Sequence, residues 1–300
     1  MNLLVTGAWN CTEAQLNMLS QMGHNVVFHK IENEPLPCDY GWAEGVICNG
    51  LFLQHDIQKF RSLKYIQLTS AGFDRVPMDY VKAHNIEIHN ARGVYSIPMA
   101  EFAFCGVLQL YKQSRFFLEN QKNHLWQKHR GLLEIYGKTV CIVGCGNVGT
   151  ECAKRFKAFG TKILGVDIVK PIDNEYDLWF DIKNIKSAVS ESDVVVLTLP
   201  LTDKTKNMFN REIFSYFKEN TVLVNIARGA VINQDDLISA LKANKLYGAV
   251  LDVFEEEPLP PDSELWDMPN VIITPHNSFV GEWNIERLNK VIFENLEDVK

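Results

Sequence analysis

The stretch KTVCIVGCGNVGTECAKRFKAFGTKILGVD, Lys138 to Asp167, decides how the rest of the chain is read. Thr139 to Val143 is an apolar, β-branched run that stops abruptly at glycine, which predicts a buried parallel strand. Gly144-Cys145-Gly146-Asn147-Val148-Gly149 follows as a full G-x-G-x-x-G. Val148, Cys152, Phe156 and Phe159 then recur at helical spacing, and Gly160 stands where a glycine ends a helix. A second strand, Lys162 to Val166, finishes in Asp167, at the usual distance from the glycines for a ribose-binding carboxylate.

Each residue type has a physical task. Gly144 permits the tight turn, Gly146 lets backbone approach a pyrophosphate, and Gly149 lets the helix pack closely on the strand. N–H groups at the helix start bind phosphates. Asp167 can accept from both adenosine ribose hydroxyls, and its charge opposes a 2′-phosphate, so the expected cofactor is NAD rather than NADP. A glycine triplet alone would suit any loop. Strand, helix, second strand and terminal acid together make it a dinucleotide site.

With 300 residues and 46% apolar content, the chain can fill two cores. Its net charge is −7, and no Lys/Arg cluster resembles a phosphate-backbone footprint, so nucleic acid is not an expected partner. The opening MNLLVTGAWN has no basic n-region and does not resemble a signal peptide. No apolar run approaches a membrane span. Seven cysteines, an odd number scattered through the chain, fit a reducing cytoplasm better than a disulfide framework. Cys141 and Cys145 read as apolar filler, and the eight histidines form no zinc-like cluster, so no metal is expected.

Residues 1–92 read as a small α/β unit with a parallel sheet. Its strands are Leu3–Val5, Val26–Phe28, Gly45–Cys48, Tyr65–Leu68 and Ile86–Ile88, with a helix Thr12–Met22 capped at Thr12 and a helical Asp56–Phe60. No dinucleotide fingerprint develops there. One long helix is expected from Ile97 to about Trp126, with so much apolar girth (Met99, Phe102, Phe104, Val107, Leu108, Leu110, Tyr111) that it predicts a homodimer contact. Residues 93–277 form the nucleotide unit, a doubly wound parallel sheet continued by strands Asp193–Leu199, Thr221–Asn225, Gly248–Val253 and Val271–Thr274. Helices Arg211–Phe217 and Gln234–Ala243 lie between them. An amphipathic helix from Trp283 returns to the first unit, so residues 278–300 complete it.

Each late strand delivers a polar residue to the same edge: Arg228, Glu257 and His276. A substrate carboxylate needs a bidentate cation, which arginine supplies. A developing alkoxide needs a proton donor, and histidine suits that task. A neighbouring glutamate orients the imidazole.

The sequence resembles the D-isomer-specific 2-hydroxyacid dehydrogenases along essentially its whole length. The resemblance rests on SAGFD (70–74), GVYSIPMAE (93–101), GCGNVG with Asp167, LTLPLT (197–202), NIARG (225–229), LDVFEEEP (251–258) and TPHNS (274–278). It implies a flavodoxin-like substrate domain beside a Rossmann NAD domain, with the ligand in the cleft between them and closure excluding water. It gives Arg228 the substrate carboxylate and carbonyl, His276 the acid/base role, and Glu257 the partner role. It also implies carboxylate-binding amides at Ala71 and Gly72, and phosphate contacts at Asn147 and Val148. Pro200 and Thr205 match adenosine-side positions, and Ile226, Ala227 and Asp252 positions near the nicotinamide.

The implied reaction is NAD-linked interconversion of a small 2-keto acid and its D-2-hydroxy acid. Asn277-Ser278-Phe279 and Trp283 depart from the small residues common after the histidine, and would narrow the pocket. No regulatory extension is expected after Lys300, which weighs against the longer phosphoglycerate dehydrogenases. An NAD-sensing corepressor keeps the same three residues and is the alternative. Formate dehydrogenase carries glutamine where Glu257 stands, and an adenosylhomocysteine-type hydrolase needs a longer chain.

Overall fold

The computed structural model describes residues 1–172 and 174–297. The chain divides into two compact units, Met1–Tyr95 joined by the stretch from Gly281, and Ser96–Val280.

Along the first unit run β1 (Asn2–Thr6), α1 (Glu13–Gln21), β2 (Asn25–His29), β3 (Gly45–Cys48), α2 (Leu51–Gln54), β4 (Tyr65–Leu68), α3 (Met78–Ala83) and β5 (Glu87–His89). The strands are parallel and ordered β2-β1-β3-β4-β5, the flavodoxin-like order. Their side chains alternate between two cores, as a period of two requires. Leu4, Val46, Cys48, Ile66 and Leu68 fill one, and Leu3, Val5, Ile47 and Tyr65 the other. Thr12 and Gln15 form a reciprocal cap on α1, with Thr12 N–H donating to the Gln15 side chain at 2.7 Å.

The second unit contains α4 (Ser96–Tyr111), α5 (Ser114–Lys122), β6 (Thr139–Val143), α6 (Asn147–Ala158), β7 (Lys162–Asp167), β8 (Leu178–Asp181) and α7 (Ile185–Ser190). It continues with β9 (Val194–Leu197), α8 (Arg211–Tyr216), β10 (Thr221–Asn225), α9 (Gln234–Lys242), β11 (Leu246–Leu251) and β12 (Val271–Ile273). Its sheet is parallel, in the order β12-β11-β10-β9-β6-β7-β8. The chain winds outward from β6 in both directions, so the switch point lies between β6 and β9, where Rossmann sheets bind ligands at strand carboxyl ends. Both faces are covered, which explains the unbroken Val/Ile runs. Val140, Ile142, Val194, Val196, Val222, Val224 and Val250 pack under α4 and α6. Cys141, Val143, Val195, Leu197, Leu223 and Leu251 pack under α7, α8 and α9. Phe156 is fully buried and meets Phe104 edge-on at 5.1 Å. Truncating it to alanine would cost about 3–5 kcal/mol.

The final helix, α10 (Asn284–Glu297), belongs to the first unit. Leu288, Ile292 and Leu296 recur on one face and close the core of Leu3, Val5 and Ile47. Asn289 accepts from the Trp9 indole at 2.7 Å.

The helix expected from Ile97 to Trp126 is in fact two. The chain breaks at Lys112-Gln113, where Gln113 is left-handed at φ 54°. Its side chain donates to the Tyr247 hydroxyl at 2.8 Å, and Lys112 Nζ to the Leu133 carbonyl at 2.7 Å. Tertiary hydrogen bonds from this polar pair outweigh helix propensity, and Trp126 lies beyond both helices, fully exposed. The helical stretch expected at Asp56–Phe60 is a short 3-10 helix, Ile57–Lys59, rather than an α-helix. Strand β8 and helices α2, α3 and α7 are too short to leave a periodic signal.

Candidate active site

At the end of β6 the chain turns through Gly144 at φ 103°, a conformation that a side chain would strain. A Cβ on Gly149 would lie 2.0 Å from the Gly144 carbonyl oxygen, so α6 packs directly on the turn. At Gly146, by contrast, a Cβ would meet nothing within 4 Å. The loop is thus closed on its protein side and open on the other, which fits a pyrophosphate against the first-turn amides of α6, those of Asn147 and Val148 included. Thr198, just past β9, donates to the Gly144 carbonyl at 2.6 Å and ties the loop to the neighbouring strand.

Asp167 ends β7, half-buried. Cys145 N–H donates to its Oδ2 and Ile168 N–H to its Oδ1, each at 2.6 Å. The first of these amides ties the carboxylate to the glycine loop. Burial pushes the Cys145 thiol up to about 12, the opposite of a reactive thiolate. Past β9, Thr205 donates to the Pro200 carbonyl at 2.7 Å and accepts from Thr202 N–H at 2.8 Å, so the two expected adenosine-side residues share one turn.

After β10, Asn225 is buried and its amide closes the next turn. Its oxygen accepts from Ala227 N–H and its nitrogen donates to the Arg228 carbonyl, both at 3.1 Å. Ile226 and Ala227 are buried within this turn, and Arg228 emerges half-buried. Arg228 Nη1 donates to the Ala227 carbonyl at 2.7 Å.

After β12, His276 Nδ1 meets Glu257 Oε2 at 2.7 Å. The other Glu257 oxygen accepts from Phe254 N–H at 3.1 Å. Glutamate therefore holds Nδ1 and leaves Nε2 without a hydrogen bond among the described residues. His276 is left-handed at φ 50°, and Phe279 stands edge-on to its ring at 6.1 Å. Asp252, at the end of β11, has no exposed surface. It accepts from Thr274 Oγ1 and Asn277 N–H at 2.7 Å, and from Ser278 N–H at 2.9 Å. Arg228, Glu257 and His276 thus follow three adjacent strands, β10, β11 and β12, at one sheet edge.

The model of the D-isomer specific 2-hydroxyacid dehydrogenase NAD-binding domain matches residues 104–278. The chain belongs to this family. A glyoxylate reductase of Korarchaeum cryptofilum is 33% identical over 78% of this chain and 72% of its own. A D-3-phosphoglycerate dehydrogenase of Methanocaldococcus jannaschii is 32% identical over 85% of this chain but only 49% of its own, so the chain spans about half of that relative. The solved D-lactate dehydrogenase of Aquifex aeolicus, complexed with NAD and lactic acid, is 26% identical with a TM-score of 0.80, covering 99% of this chain and 94% of that one. This 2-hydroxyacid dehydrogenase is accordingly an oxidoreductase with a nicotinamide-dinucleotide domain.

In the dehydrogenase's small unit, Ala71 and Gly72 sit in the turn after β4. Their carbonyls are engaged, Ala71 by Asn90 Nδ2 at 2.6 Å and Gly72 by Ser70 Oγ at 3.0 Å. Their N–H groups donate to no acceptor among the described residues. Sequence reasoning did not single out Thr198, Asn225 or Thr274, whose side chains brace the loops. The motifs LTLPLT, NIARG and TPHNS contain all three. All seven cysteines of the dehydrogenase are free thiols. Among the described residues no helix is long and apolar enough to cross a membrane.

Proposed function

We propose that the enzyme reduces a small 2-keto acid to its D-2-hydroxy acid with NADH, using Arg228, Glu257 and His276. The observation that carries this reading is the 2.7 Å Glu257–His276 pair one strand away from the Arg228 turn. Dihydronicotinamide, when bound, supplies the hydride for C2. The Arg228 guanidinium offers two parallel donors to the carboxylate. Protonated His276 gives its Nε2 proton to the oxygen on C2 as charge develops there, and Glu257 keeps Nδ1 occupied so that Nε2 stays available. In the small unit the unengaged amides of Ala71 and Gly72 serve as carboxylate donors.

The glycine loop, Asn147 and Val148 hold the pyrophosphate, with Pro200 and Thr205 on the adenosine side. Ile226, Ala227 and Asp252 border the nicotinamide. Asp167 favours NAD by opposing a 2′-phosphate. The assembly proposed is a homodimer through α4, whose apolar residues encircle it, and the free thiols favour a cytoplasmic setting. We assign residues 1–92 with 278–300 to the substrate domain and 93–277 to the cofactor domain.

A panel of glyoxylate, hydroxypyruvate, pyruvate and branched 2-keto acids, followed by NADH consumption, tests the reaction and ranks its substrates. His276→Ala should lower kcat by about 10²–10⁴-fold. Parent-like turnover by that variant would remove His276 from the chemistry.

A further inference from the structure

We propose that Asp252 is a positioning residue for His276, acting through a cage that forces the histidine into its left-handed turn. This rests on the acid/base reading of His276. A fully buried carboxylate is tolerated only when its oxygens are satisfied. All three donors to Asp252 come from one short segment: Thr274 Oγ1, Asn277 N–H and Ser278 N–H. The main-chain oxygen of Asp252 also accepts from His276 N–H at 2.8 Å. Residue 252 therefore grips the segment on both sides of the histidine, and on the histidine itself.

The left-handed region is uncommon for a residue with a Cβ, and persists only where the surroundings over-determine it. At φ 50°, His276 meets that description. The cage fixes the direction in which the imidazole leaves the chain, and so decides whether Nδ1 reaches Glu257 Oε2. Glu257 itself arrives on a separate loop after β11, anchored by Phe254 N–H. Asp252 adds no group that touches the imidazole. It sets the backbone from which the imidazole projects.

Asp252→Asn would confuse this role with folding and with cofactor contact, so the cleaner probe is Thr274. Its hydroxyl hydrogen-bonds Asp252 Oδ1. Thr274→Val removes that bond at nearly constant volume, and Thr274→Ser restores it. Nitrogen NMR of the His276 ring in the cofactor-free enzyme should show one neutral tautomer, Nδ1–H, in the parent and in Thr274→Ser, and a mixture in Thr274→Val. Thr274→Val should lose about tenfold in kcat while its NADH dissociation constant stays within about threefold, and Thr274→Ser should recover most of the rate. Glu257→Gln should also cost less in the Thr274→Val background than in the parent, because coupled groups are not additive. A parent-like tautomer and parent-like kcat in Thr274→Val would overturn the proposal. Equal losses in Thr274→Val and Thr274→Ser would overturn it too, since the hydroxyl would then be irrelevant. Should His276→Ala keep full activity, it is the acid/base reading that fails, and the NMR comparison still decides whether the cage sets the ring.

Discussion

Replacing Asp167 with asparagine should relax the preference for NAD proposed above. A ribose 2′-oxygen hydrogen-bonded to this carboxylate would place the phosphorus of a 2′-phosphate about 4–5 Å from the negative charge. At an effective dielectric constant of about 20, a dianion there is opposed by roughly 7–8 kcal/mol. Asp167 is half-buried, so water and salt reduce this to roughly 2–3 kcal/mol, or about 30–150-fold. The NADH/NADPH ratio of kcat/KM should therefore fall by about two orders of magnitude in Asp167→Asn.

A structural cost accompanies the change. The carboxylate accepts from Cys145 N–H and Ile168 N–H, both at 2.6 Å. An asparagine oxygen can serve only one of them, so about 1 kcal/mol of stability and a few degrees of melting temperature should be lost. Steady-state kinetics with both cofactors and a thermal melt read the two effects separately. Were the ratio to stay within threefold while the melt shifted as expected, Asp167 would serve the two amides and not the ribose.

Other tests are simpler. Arg228→Lys keeps the charge but loses the planar fork, so keto-acid KM should rise at least about tenfold while NADH affinity stays nearly constant; normal kinetics would make the arginine structural. Light scattering at micromolar concentration should find a dimer, and a monomer would refute the role given to α4. Asp193, remote from the site edge, accepts from Thr139 N–H at 2.9 Å and pairs with Lys218 at 2.7 Å. Burial alone would raise its carboxyl, but Lys218, the Thr139 amide and Lys138 outweigh that and hold it below its usual range. The contribution is fully present above the unfolded carboxyl's value of about 4 and is lost as pH falls through the lower folded value. Asp193→Asn should therefore cost about 1 kcal/mol at neutral pH, with the deficit closing in acid and activity unchanged. A pH-independent deficit in chemical denaturation would contradict this.

What was legible in the sequence was local. The glycine loop, the Val/Ile strands and the residues at strand ends announce themselves within a few positions, because turn geometry and two-sided burial act at short range. The break at Gln113 was not legible, because its cause is a hydroxyl on Tyr247, far along the chain. The brace from Asn225 to the Arg228 turn lies within four residues. Its motif was recognised, but an asparagine that closes a turn looks like any other polar strand end. Asp252 suggested a cofactor contact; that it also cages the segment carrying His276 became visible only once β11 and β12 stood side by side.

The core that α10 completes bears on how the protein is made. Leu3, Val5 and Ile47 are synthesised well before the residues that cover them, Leu288, Ile292 and Leu296. The whole of Ser96–Val280 is translated in between. At about 5–20 residues per second, that bare apolar face waits some ten seconds or more for its lid. The inserted unit has no such debt, since its strands and helices come from one continuous stretch. It can fold during synthesis, while the unit begun first is finished last. The nascent chain therefore carries that sheet face without α10 for as long as Ser96–Val280 is being made.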